Sequence, residues 1–283
     1  CNTLDRTPVT VIVNPRPTIT NTTNDLICSG TANLTASSSE GQVYWYDSLS
    51  STTPIFIGES FETPNLNTTT NYFVEANNNN CTSSTRTEIT AVVDSTIPTF
   101  DRLNNNVVLC ADVGSVDLEV INFQDKYRYI WMKDGNPLTG DLATISVNSS
   151  GTYTVKAVSD AGCESTEQTI IVSDSEKATI TKDDIIITDD SENNSIEVTN
   201  SNLGSGTYQF AIDDEFGIYK DKGFFQNLST GIHTLYIKDN GGCGTEKYVF
   251  SILAYPSFFT PNNDGINDAW KIKSIASEST LYL

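Results

Sequence analysis

The sequence is poor in the residues on which much enzyme chemistry rests. It has one histidine, one methionine, no CxxC pair, no HExxH, no GxSxG and no glycine-rich phosphate loop. A Ser-His-Asp or Cys-His system needs an imidazole beside a nucleophile, and a histidine zinc site usually needs more than one ring. His233, on the strand-like stretch IHTLYI, is therefore read as an ordinary strand residue. No run of eighteen apolar residues occurs, so no segment is suited to cross a bilayer as a helix. Basic residues are scarce as well: 16 Lys and Arg stand against 36 Asp and Glu, a net charge of −20 that repels nucleic acid and attracts divalent cations. Paired carboxylates could still serve a glycosidase. The acidic clusters at 182–184, 189–193 and 213–215 fall in predicted turns and sheet edges, however, which makes them solvated charge.

What the chain has instead is Asn, Thr, Ser and Gly in short alternating patterns, the composition of β-structure. Its 283 residues exceed one ordinary domain. Aligning the cysteines exposes a repeat: CNTLDRTPVTVIV from Cys1, CTSSTRTEITAVV from Cys81, CESTEQTIIV from Cys163 and CGTEKYVFSIL from Cys243 are spaced 80, 82 and 80 residues apart. Each is a cysteine followed by a strand alternating outward Thr or Glu with inward Val or Ile. Three are preceded by a matching strand and an Asn/Gly/Asp tip, NYFVEANNNN, GTYTVKAVSDAG and IHTLYIKDNGG, so each pair reads as a hairpin. Upstream, VYWYD and YIWMKDG place Trp45 and Trp131 near the middle of the first two units. Units of this length with short strands and a central Trp fit an immunoglobulin-like sandwich. The expected organisation is all-β. Residues 1–14 form the last strand of an upstream Ig-like module, 15–94, 95–173 and 174–254 form three tandem modules, and 255–283 begin a further small β-domain, with proline-bearing joints between modules.

Six cysteines in an acidic, Asn- and Thr-rich chain fit disulfides in an oxidising compartment. Cys28 to Cys81 and Cys110 to Cys163 are both 53 residues apart, which predicts one bridge inside each of the first two modules. On that reading Cys1 pairs with upstream sequence, Cys243 is a free thiol and the third sandwich holds by packing alone. A sugar-binding platform needs exposed aromatics, and strand alternation offers Tyr44 and Tyr46 on the face opposite Trp45; Tyr129 shares the face of Trp131 and is expected in the core. Ordinary surface packing is preferred for the tyrosine pair.

The stretch PNNDGIND near the C-terminus gathers the oxygen ligands Asn262, Asp264, Asn267 and Asp268 around Gly265. They are candidate calcium ligands, although an EF-hand register would start at Thr260 and end on Lys271 where a bidentate Glu is required, so an Asx-turn is the plainer reading. Calcium is the one cofactor that the sequence suggests. The longer stretch YPSFFTPNNDGINDAWKIKSI, 255–275, resembles the start of the gliding-motility-associated (type B) C-terminal sorting domain of type 9 secretion cargo. The resemblance rests on Phe259, Thr260, Pro261, Asn262, Asp264, Gly265, Asn267, Asp268 and Trp270. GESFETPNLNTTTNYFVEA and SGTYTVKAVSDAGC are similar to the Ig-like modules found ahead of that domain. DSL at 47–49 and DST at 94–96 resemble the acceptor pattern for bacterial surface O-glycans, at Ser48 and Ser95.

The resemblance implies a non-catalytic surface protein. It would be exported through the type 9 translocon, attached outside the cell to an outer-membrane β-barrel protein of the gliding-adhesin partner family, and serve as stalk and anchoring tail of a large adhesin in gliding motility. The same tail also fits a secreted polysaccharide-degrading enzyme whose catalytic domain lies upstream.

Overall fold

The computed structural model describes residues 8, 10, 15–122, 127–189, 193–253 and 260–264. They form an all-β chain whose single helical element is a 3-10 turn over Lys182–Asp184.

The first sandwich packs two sheets. One runs in the order β1 (Ile19–Thr23), β3 (Asn33–Ser38), β6 (Ser60–Glu62). The other runs β2 (Asp25–Ile27), β9 (Thr87–Val93), β7 (Thr70–Asn78), β4 (Gln42–Tyr46), β5 (Phe56–Ile57), with β8 (Cys81–Thr82) folded back on β7. The second sandwich repeats this plan. A sheet of β10 (Asp101–Arg102), β12 (Val116–Ile121) and β15 (Thr144–Val147) faces one of β11 (Asn106–Cys110), β17 (Gln168–Ser175), β16 (Gly151–Val158), β13 (Arg128–Lys133) and β14 (Asn136–Pro137). In the third sandwich β18 (Ile185–Thr188), β19 (Ser195–Val198) and β21 (Phe224–Gln226) face β20 (Tyr208–Ile212), β22 (Gly231–Asp239) and β23 (Thr245–Ile252).

Alternation dictates which side chains meet between the sheets. Tyr72, Val74 and Ala76 of β7 point inward, as do Tyr153, Val155 and Ala157 of β16. In β22 the inward row is His233, Leu235, Ile237 and Asp239, so this strand carries a polar side chain at each end of its buried face. Trp45 and Trp131 are fully buried, and each indole N–H donates to a backbone carbonyl, Gly58 O at 2.8 Å and Leu142 O at 2.9 Å. Those bonds satisfy the one polar group a buried Trp brings with it. Tyr129 lies in the core of the second sandwich, as its spacing from Trp131 predicts. The third sandwich has no Trp, and Phe210 on β20 occupies the corresponding strand.

Two features set the ends of each sandwich. The hairpin that closes each module has a left-handed residue directly before its cysteine: Asn80 (φ 66°), Gly162 (φ 85°) and Gly242 (φ 89°). Asn and Gly are the residues that tolerate this backbone, which explains the Asn/Gly tips in the sequence. At the opposite end, a short strand lies parallel to the last strand of its own module. In the first sandwich Ile27 is level with Val93, and in the second Cys110 is level with Ser175. In the third sandwich, among the described residues, nothing pairs with the outer edge of β23.

Trp131→Ala removes the largest buried side chain of the second core and should cost that sandwich about 3–5 kcal/mol. Ile171→Ala, at a position 51% exposed on the same sheet, should stay within about 0.5 kcal/mol. Hydrogen exchange at the Tyr153 and Val155 amides separates the two outcomes.

Candidate functional site at the junctions between sandwiches

The cysteines do not pair as their spacing predicts. Cys28 is bonded to Cys163, with Cα atoms 5.0 Å apart, and Cys110 to Cys243, at 5.4 Å. Cys81 is free and exposed. The expected bridges Cys28 to Cys81 and Cys110 to Cys163 fail for a geometric reason. Cys28 follows β2 at the end where β9 leaves the module, whereas Cys81 sits beyond the far end of the nine-residue β7. A strand of that length spans about 30 Å, and a disulfide tolerates Cα atoms no more than about 7 Å apart. The same separation holds between Cys110, level with Ser175, and Cys163 at the opposite hairpin tip. The constant 53-residue spacing thus measures the size of a module and not a closed loop. Cys243, expected to be a free thiol, is half of the second bridge, so the third sandwich is not held by packing alone.

Each bridge therefore joins the exit end of one sandwich to the hairpin tip of the next. The tips are built alike. The residue four positions before each cysteine accepts an amide of the turn: Asn77 Oδ1 takes Asn80 N–H at 3.2 Å, Ser159 Oγ takes Cys163 N–H at 3.1 Å, and Asp239 Oδ2 takes Cys243 N–H at 2.9 Å. Around the bridge the junctions are tied further. At the first, Asp94 N–H donates to Ile27 O at 3.0 Å, and the Cys163 sulfur lies 3.3 Å from Asp94 O. At the second, Ser175 Oγ donates to the buried carboxylate Oδ1 of Asp239 at 2.8 Å, while Ala111 N–H donates to Ser175 O at 3.0 Å. Glycine is required here by space: a Cβ at Gly241 would lie 2.8 Å from Asp239 Oδ2 and 2.9 Å from Ser175 Cβ. Beyond the bridge, Glu176 accepts Ser205 N–H at 2.6 Å and Tyr208 O–H at 3.1 Å, and Lys177 meets Glu246 at 2.5 Å.

The other candidate residues are dispersed. His233 is buried, with Nδ1 2.6 Å from Asp213 Oδ2 and Nε2 2.8 Å from Ser229 O. Both ring nitrogens thus face acceptors, and the serine offers its carbonyl; this is a structural clasp of the turn at Asp213. Burial alone disfavours the imidazolium, but the hydrogen bonds to Asp213 and Ser229 outweigh it, so the His233 pKa is raised above 6.5. Tyr46 is not the exposed aromatic that alternation predicts. Its ring is 5% exposed, covered by the Arg86 guanidinium 3.4 Å from the ring centre, and its hydroxyl donates to Glu75 Oε1 at 2.6 Å. Burial and Glu75 push the phenol up to about 12. Tyr44 is half-buried, so the pair forms no open sugar platform. Ser95 is exposed in the first joint, and Ser48 is half-buried with its hydroxyl 2.8 Å from that of Ser51.

Of the C-terminal motif, Thr260, Pro261, Asn262 and Asp264 are described. Asp264 N–H donates to Asn262 Oδ1 at 3.3 Å and Asn262 Nδ2 donates to Asp264 Oδ2 at 2.7 Å, around a left-handed Asn263 (φ 63°), an Asx-type turn. Phe259, Gly265, Asn267, Asp268 and Trp270 lie outside the described residues, as do Cys1 and most of the expected 1–14 and 255–283 segments. Among the described residues no group of three or more His, Cys, Asp or Glu is placed to hold a metal, and no helix is long and apolar enough to cross a membrane.

Residues 16–94 match the family model described as "Ig-like domain CHU_C associated". No curated protein matches the chain. Among solved structures, the I-band fragment I67–I69 from titin aligns at 12% identity over 84% of this chain and 98% of that one, with a TM-score of 0.37. Fibronectin(III)-like modules of Clostridium thermocellum CbhA align at 15% identity, covering 56% of this chain and 94% of that one, with a TM-score of 0.39. Extracellular domains 3–5 of Drosophila OTK align at 13% over 84% and 97%, with a TM-score of 0.37. Ig-like sandwiches joined by disulfides belong to an oxidising, extracellular setting, and such domains are typically non-catalytic.

Two outcomes follow from this geometry. With a protease site inserted into the 95–99 joint, the cut chain should run as one species without reductant and separate with it; separation without reductant would show bridges confined within modules. The raised His233 pKa stabilises the third sandwich fully below about pH 6.5, and this contribution is lost as pH rises through the folded-state value. His233→Gln should flatten that fall in a pH series of melting temperatures.

Proposed function

We propose that this chain is the non-catalytic stalk and membrane-anchoring tail of a large cell-surface adhesin. Export runs through the type 9 secretion system, the C-terminal region docks to an outer-membrane β-barrel partner, and the whole serves gliding motility. The observation that carries the stalk is the junction: consecutive sandwiches are linked by a peptide and by a disulfide as well, so orientation and tension pass from one to the next without depending on a small noncovalent contact. The match of residues 16–94 to a CHU_C-associated Ig-like family and the TPNNDGIND motif support the export and anchoring part of the reading. The acidic surface agrees with a partner that is a protein and not an anionic lipid face.

In this reading the sandwiches set distance and stiffness, and the tail supplies the attachment. The Asx turn at Asn262 and Asp264 presents carboxylate and amide groups at the surface, where a partner's N–H groups can read them. A pull-down from solubilised outer membranes, with the intact C-terminal region as bait, should recover one stoichiometric β-barrel protein. Asp264→Ala with Asp268→Ala should lower surface retention at least several-fold while the melting of the sandwiches is unchanged. Recovery of no barrel, with normal retention of the double variant, would leave the tail as an export tag only.

A further inference from the structure

We infer that the two inter-module disulfides act as a staggered covalent ladder, which carries tension past the body of each sandwich and caps how far the chain can be drawn out. The inference deepens the stalk reading above, but its geometry stands on the bridges themselves.

The second sandwich shows how this works. Load enters it at two points, the peptide after Asp94 and Cys163, which is bonded to Cys28. Load leaves at two points as well, Cys110, which is bonded to Cys243, and the peptide after Ser175. From Cys163 to Ser175 the chain is about a dozen residues, most of them already extended in β17, and from the joint to Cys110 it is little longer and ends in β11. These two strands lie side by side, parallel, in register from Asn106 and Ile171 to Cys110 and Ser175. Tension therefore runs along both in the same direction and is divided between two strands, with no opposed pull to shear the hydrogen bonds they share. While the neighbouring sandwiches stay folded, residues 111–162, with Trp131 and most of the core, hang outside this load path. While its neighbours stay folded, the second sandwich has almost no hidden length to release.

Once all three sandwiches unfold, the shortest bonded path is a different one and passes through residues 111–162. Between residues 16 and 253 the bonded route runs from 16 to Cys28, from Cys163 back to Cys110, and from Cys243 to 253. That is about 75 residues, or roughly 27 nm at full stretch, against about 237 residues and roughly 85 nm for the reduced chain. Bridges confined within the first two modules would instead give roughly 47 nm, so the length itself reports the pairing.

The test is single-molecule stretching of the full 283-residue chain, with click handles at residues 16 and 253, with and without reductant. The expected limit is roughly 27 nm oxidised and roughly 85 nm after reduction. Cys110→Ser with Cys243→Ser removes one rung and should lengthen the oxidised limit to roughly 37 nm. An oxidised wild-type limit near 47 nm, or one equal to the reduced length, overturns the ladder. A ladder of the expected length with no barrel recovered in the pull-down would keep this inference and remove the outer-membrane anchor, so the two proposals fail separately.

Discussion

The arrangement of this chain depends on one pairing, the short strand that lies parallel to the last strand of its own module. The cysteine is the last residue of that strand in β11 and the residue directly after it in β2. Because the strand runs in the same direction as β9 or β17, it delivers Cys28 and Cys110 to the end where the chain leaves for the next module. An antiparallel partner of the same length would have turned the cysteine toward the entry end, within reach of the module's own hairpin tip. Parallel pairing inside one module thus decides that the covalent bond is made to another.

The two bridges overlap along the sequence. One closes a separation of 135 residues and the other 133, and they share the span from Cys110 to Cys163. Taken singly, each closure stabilises the folded chain by about 5 kcal/mol on the loop-entropy account. Because the loops interlock, the second does not add its full value to the first: the unfolded chain is already restricted. Their shared segment is most of the second sandwich, so the middle module is constrained from both sides. The hydrogen bond from Ser175 to the buried Asp239 adds a directional contact at the second junction, and the Gly241 position leaves room for it. Burying a carboxylate is costly unless it is satisfied, and Asp239 is satisfied by one group from each side of the joint. Separating the two sandwiches would strip one of those partners away.

Much of the fold is legible in the sequence, because it is written in local patterns. The 3.3 Å-per-residue alternation of inward Val, Ile and Tyr, the Asn and Gly residues before the tip cysteines, and Trp45 and Trp131 all point to the strands, hairpins and cores found here. What local pattern does not encode is which end of a module a residue occupies, and there the reading by spacing fails. Equal intervals between cysteines follow from equal modules whatever the bonds are. Tyr46 misleads for a related reason: alternation places it opposite Trp45, but a neighbouring Arg86, distant in sequence, lies down on its ring. His233 is read rightly as a strand residue, yet its clasp with Asp213 depends on a left-handed turn that the strand pattern does not contain. The recurring Asn77, Ser159 and Asp239, each four residues before a tip cysteine, were a signal available in the sequence and mark the tips as equivalent.

Equivalence of the tips also shows what the third sandwich does differently. It has a tip cysteine, Cys243, and so accepts a bridge from the module before it. Among the described residues no strand pairs in parallel with β23, and the corresponding stretch of sequence, acidic and rich in Asn, has no cysteine. The described array is therefore directional: bridges are offered forward by the first and second sandwiches, and received by the second and third. Beyond residue 253 the connection to the segment bearing Asn262 and Asp264 is by peptide alone. The sequence after Cys243 holds no further cysteine, so no third bridge of this kind ties that segment to the sandwiches.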